Sequence, residues 1–147
     1  MSSKCQPLNI VMVDDDQDDL FLTKRYFEKS DYDLNFIGLQ SAEALFEHIK
    51  FEGIGSFHVL LLDLNMPRMG GLKTLEILQT YPGIEDINVF IFSTSPHEHN
   101  QETCTKEGAM GYFAKPSNAE QALDFIETLM NSLNFDTDMK KERIVRL

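Results

Sequence analysis

Two stretches decide how this chain folds: Leu8-Asn9-Ile10-Val11-Met12-Val13-Asp14-Asp15-Asp16 and Val59-Leu60-Leu61-Leu62-Asp63-Leu64-Asn65-Met66-Pro67. Each is a nearly continuous apolar run that ends abruptly in carboxylates. A strand with one wet face alternates apolar and polar residues, whereas a strand covered on both faces does not, so both runs read as central strands of a parallel sheet flanked by helices. In such sheets ligands collect beyond the carboxyl ends of the strands, which is where these carboxylates fall.

Outward from these two, short apolar runs alternate with stretches of helical period, as expected of an α/β, doubly wound, five-stranded parallel sheet. The expected strands are Leu8 to Val13, Leu34 to Gly38, Phe57 to Leu62, Ile87 to Phe92 and Met110 to Phe113. Leu20, Phe21, Lys24 and Phe27 keep helical spacing, with Asp16 as the cap and Asp18 and Asp19 at the positive end of the helix dipole. Ser41 caps a second helix carrying Leu45, Phe46 and Ile49. A third follows Gly70-Gly71, carries Leu72, Leu75 and Leu78, and is ended by Pro82-Gly83. A short polar fourth helix is expected from Glu98 to Glu107. The last opens on a capping box, Ser117-Asn118-Ala119-Glu120, and turns Ala122, Phe125, Ile126, Leu129 and Leu133 inward. Residues 1–7 read as a lead, 8–133 as the domain and 134–147 as a tail.

A chain of 147 residues holds one domain of ordinary size. Its net charge of -11 repels nucleic acid and anionic lipid, so direct binding to either is not expected. Neither a signal-peptide pattern nor an apolar run of roughly 20 residues is present, and a cytoplasmic location is expected. Cys5 and Cys104 lack a CxxC pair and read as reduced structural thiols. His48, His58, His97 and His99 lack the helical i, i+4 spacing of a metal-chelating pair and read as surface or core residues.

The residues that follow the strands form a coherent set: Asp14, Asp15 and Asp16; Asp63; Ser93-Thr94-Ser95; Lys115-Pro116. Carboxylates gathered from two strands repel one another unless a cation neutralises them, and hard oxygen donors suit Mg²⁺. A carboxylate that attacks a phosphoryl donor meets another anion, and a divalent ion, the Lys115 ammonium and the Ser93 hydroxyl would together stabilise the charge on the phosphoryl oxygens.

The set Val13-Asp14-Asp15-Asp16, Leu62-Asp63-Leu64-Asn65-Met66-Pro67, Ser93-Thr94-Ser95 and Tyr112-Phe113-Ala114-Lys115-Pro116 resembles the receiver domain of bacterial response regulators, over about Leu8 to Leu133. Each motif alone is weak; four in order, each at a strand end, are specific. The resemblance implies a flavodoxin-like (βα)5 fold with strand order 2-1-3-4-5. It implies phosphorylation at Asp63, Mg²⁺ held by Asp14, Asp15, Asp63 and the Asn65 carbonyl, and catalytic support from Ser93 and Lys115. Ser93 and Tyr112 fall on the switch positions, and Lys115-Pro116 on a cis peptide. Ser93 stands where threonine is commoner, and Asn88 where proline is often found.

The function so implied is a single-domain response regulator, a phosphoacceptor with slow self-dephosphorylation rather than an enzyme. Its donor would be a sensor histidine kinase or a phosphotransfer protein, its target an unknown protein met by direct contact, and a phosphorylation-dependent homodimer is a further expectation. A phosphoaspartate hydrolase of the haloacid-dehalogenase type also uses an aspartate after an apolar strand, but needs an acid two positions on, where this chain has Asn65. A scaffold with a degenerate site would lack a site residue, and none is missing.

Overall fold

The computed structural model describes residues 7–94 and 105–133. Five parallel strands, β1 (Leu8–Val13), β2 (Leu34–Leu39), β3 (Val59–Leu62), β4 (Asn88–Ser93) and β5 (Gly111–Ala114), form one sheet in the order β2-β1-β3-β4-β5. Val13 lies opposite Leu62 and Ser93 opposite Ala114, so the strands end along a common edge. The order and the parallel sense are those expected.

The β1 and β3 runs are buried on both faces because each face carries its own apolar layer. Val11, Val13, Leu60, Leu62, Val89 and Ile91 face Leu45 and Ile49 of α2 (Ala42–Glu52) and Leu75 and Leu78 of α3 (Gly71–Leu78). Ile10, Met12, Val59, Leu61, Phe90 and Phe92 face Phe27 of α1 (Gln17–Lys29) and Phe125, Ile126, Leu129 and Met130 of α4 (Ala119–Ser132). Residues i and i+1 of a strand point to opposite faces, so one unbroken apolar run supplies both layers. The outer strand β2 alternates partly buried and exposed residues along most of its length, as an edge strand should.

Capping follows the sequence with one shift. Asp16 accepts from the backbone N–H groups of Asp18 and Asp19, and Ser41 from that of Ala44. In α4 the cap is Asn118, which accepts from Gln121 N–H at 2.8 Å, while the Gln121 side chain accepts from Ser117 N–H at 2.8 Å. The expected cap is therefore moved one residue on to Asn118, and the Gln121 side chain bonds the residue before the cap rather than the cap itself. β2 runs one residue past Gly38. A 3₁₀ turn at Ile54–Ser56 delays β3 to Val59, although Phe57 remains buried. β4 and β5 each begin and end one residue later than expected, which brings Ser93 into its strand. Of the expected fourth helix, Glu98 to Glu107, the part up to residue 104 lies outside the described residues, and so does its Ser95-Pro96 approach. The same holds for Cys5, Cys104, His97, His99 and the 134–147 tail. Thr105 and Lys106 are helical. No helix among the described residues is long and apolar enough to cross a membrane.

Candidate functional site

The sheet's hydrogen-bond ladder continues one residue beyond three strands and so fixes the backbone of the site. Asp14 N–H donates to Leu39 O at 2.9 Å, Asp63 N–H to Val13 O at 3.0 Å, and Lys115 N–H to Ser93 O at 2.9 Å. Asp14, Asp63 and Lys115 are therefore held by the sheet itself, at its carboxyl edge.

Asp14, Asp15 and Asp63 each bring one carboxylate oxygen within 4.8 Å of the others. Asp14 is 0% exposed and Asp63 6%, whereas Asp15 faces solvent. Lys115 enters this group from the end of β5: its Nζ lies 2.5 Å from Asp14 Oδ2, 2.9 Å from Asp19 Oδ2 and 3.8 Å from Asp63 Oδ2. The other Asp14 oxygen accepts from Asp16 N–H at 2.9 Å. Asp63 Oδ1 accepts from Asn65 N–H at 3.3 Å, the first bond of the loop that leads to α3. Ser93 Oγ is fully buried and has no hydrogen-bond partner among the described residues.

Burial is the main force on Asp63 and, with the negative charge of Asp14, pushes its pKa up to about 6 against the opposing pull of Lys115. Burial alone would lower Lys115, but its bonds to Asp14 and Asp19 and the charge of Asp63 outweigh burial and hold the ammonium above its ordinary value. The pocket is thus short of positive charge by comparison with its carboxylates. Three hard oxygen donors within 4.8 Å of one another, one of them open to solvent, are the donor set a divalent ion such as Mg²⁺ takes, and the residues fit it.

Glycine at position 71 sets the loop. A Cβ there would meet Asp63 O at 2.3 Å and Leu64 Cα at 2.7 Å, so the first turn of α3 packs directly on the backbone that carries Asp63.

Asp14, Asp15, Asp63 and Lys115 are brought together as expected from sequence, and Ser93 ends the strand between the Asp63 and Lys115 strands. Asn65 touches the group through its backbone N–H. Tyr112 is half-buried and packs on the apolar layer that contains Val11 and Leu62. The expected cis peptide at Lys115-Pro116 is corrected: no described peptide bond is cis. The trans form is the lower in energy for a bond before proline, by about 0.5–1 kcal/mol, and the flanking bonds from Lys115 N–H to Ser93 and from Ser117 N–H to Gln121 are made with it.

Asp19 lies outside the set of site residues expected from sequence, where it reads as a helix-dipole residue. Its signal is its place in the chain. Helix α1 begins two residues after Asp15, so a carboxylate in its first turn starts from the edge of the site.

A family model described as the response regulator receiver domain matches residues 10–127. The nitrate/nitrite response regulator protein NarL of Escherichia coli K12 is 42% identical over 67 residues, covering 44% of this chain and 29% of that protein. The chain thus spans less than a third of the length of the curated relatives it matches. Among solved structures, the Mn²⁺-bound form of response regulator Rcp1 aligns with a TM-score of 0.71 at 23% identity, covering 85% of this chain and 93% of that one. The CheX–CheY–BeF₃–Mg²⁺ complex of Borrelia burgdorferi aligns with a TM-score of 0.71 at 21% identity, covering 84% and 90%. Both likenesses are of fold.

Proposed function

Because the chain belongs to the response regulator receiver family, we propose that residues 8–133 form a phosphoacceptor unit. In this reading it works in the cytoplasm, takes a phosphoryl group on Asp63 from a sensor histidine kinase or phosphotransfer protein, with Mg²⁺, and passes the signal on by protein contact. The carrying observation is the Lys115 ammonium set among Asp14 and Asp63 at the sheet edge. In the transfer, an Asp63 carboxylate oxygen attacks phosphorus, an O–P bond forms, and the bond to the donor nitrogen breaks with its electron pair leaving on the donor. Lys115, 3.8 Å from Asp63, and the buried Ser93 hydroxyl at the end of β4 would bind the phosphoryl oxygens and stabilise their charge. Asp14, Asp15, Asp63 and the Asn65 carbonyl would hold Mg²⁺, which offsets the repulsion between the carboxylates and the incoming anion. The Mn²⁺ and Mg²⁺ named for the Rcp1 and Borrelia structures support that choice of ion. Movement of Ser93 toward the phosphoryl group would open space for the Tyr112 ring and alter the β5 surface, shifting an equilibrium that a partner protein reads.

The test is intact-mass spectrometry after incubation with acetyl phosphate, with and without Mg²⁺. One added phosphoryl group, dependent on Mg²⁺ and absent in Asp63→Asn, is expected. Labelling of Asp63→Asn to the wild-type level would overturn the assignment.

A further inference from the structure

Of the three carboxylates around Lys115, Asp19 is the one the phosphoacceptor chemistry does not use. It comes from the first turn of α1, where its own N–H is engaged by the Asp16 cap at 3.4 Å, and its Oδ2 accepts from Lys115 Nζ at 2.9 Å. Asp63, at 3.8 Å, is nearly a full ångström farther from that ammonium. An ammonium has three protons to donate; here the near partners are Asp14 and Asp19 rather than Asp63. Asp14 is a wholly buried neighbour of Lys115, but Asp19, at 29% side-chain exposure, can release the ammonium and be rehydrated at little cost.

We propose that Asp19 is a positioning residue that holds Lys115 back from Asp63 and competes with the phosphoryl group for the lysine. This rests on the phosphoacceptor reading above. Binding of a phosphoryl group at Asp63 then exchanges the Asp19–Lys115 bond for a Lys115–phosphoryl bond, and Asp19 turns to water. Asp19 thereby lowers occupancy of the phosphorylated state without touching the reacting atoms. The exchange also links the first turn of α1 to the state of the site.

The test measures affinity for beryllofluoride, a phosphoryl mimic, in the presence of Mg²⁺ by titration calorimetry. Asp19→Asn should bind about fivefold tighter than wild type, the size expected for release from a partly exposed ion pair. Asp18→Asn makes the same charge change one residue away, at an exposed side chain, and should change affinity by less than about twofold. In a Lys115→Met background Asp19→Asn should have no effect, since the cycle isolates the pair. If Lys115→Met does not fold, the Asp18→Asn comparison decides alone. Unchanged or weaker binding by Asp19→Asn, or an equal gain in Asp18→Asn, would overturn the proposal while leaving the phosphoacceptor reading intact. Failure of the wild type to bind beryllofluoride would instead overturn that reading.

Discussion

Burial of Asp63 works against its charge, and the sign of that cost can be read from pH. Its pKa in the folded chain is about 6 against an ordinary 3.8. Folding therefore favours the protonated form: the stability this confers is complete below about pH 4 and is lost as pH rises through 6. Without metal, Asp63→Asn should then be more stable than wild type by about 1–3 kcal/mol at about pH 7.5 and level with it near pH 4, by urea denaturation in chelator. A gain of the same size at both pH values would show that burial of charge is not its source. Lys115 is stabilised rather than penalised in its charged form, and its ion pair keeps Asp14 from being an uncompensated buried charge.

At the level of elements, the site depends on how closely α3 approaches β3. Alanine would ordinarily favour the helix over glycine by up to about 1 kcal/mol. At position 71 space decides instead, because the added Cβ would sit 2.3 Å from a backbone oxygen that cannot swing aside. Gly71→Ala should destabilise the protein by about 1–3 kcal/mol in denaturant titration, as overpacking does, and weaken Mg²⁺ binding by shifting the Asp63 backbone. Unaltered stability would mean that the helix start relaxes freely. The caps tell a milder story. Asp16 and Ser41 are legible because a single short polar side chain before a periodic run suffices. The α4 cap is ambiguous by one residue in the sequence because Ser117 and Asn118 are both good caps, and only the reach of Gln121 distinguishes them.

Across the whole molecule one sheet serves two apolar layers, so neither layer can be lost alone. Phe125 joins the elements of the second: its ring lies 4.7 Å from that of Phe92, 5.0 Å from Phe113 and 5.9 Å from Phe27, tying α4 to β4, β5 and α1. Phe125→Ala should cost about 3–5 kcal/mol in denaturant titration. The far- and near-ultraviolet circular dichroism of the variant should still melt together, because both layers share β1, β3 and β4. Separate transitions would show that the layers unfold independently.

Local composition was enough to read the alternation of strands and helices and the burial of β1 and β3. It was also enough to bring Asp14, Asp15, Asp63 and Lys115 to one place, because a parallel sheet presents its strand ends along one edge. Strand ends blurred by one residue at Asn88 and Gly111 and by two after the 54–56 turn, where the sequence carries little apolar signal. The sharing of the Lys115 ammonium among particular carboxylates is a matter of long-range packing. Asp19 and Lys115 are 96 residues apart. Their meeting follows from the packing that brings the first turn of α1 beside the residue after β5, and no local pattern encodes it.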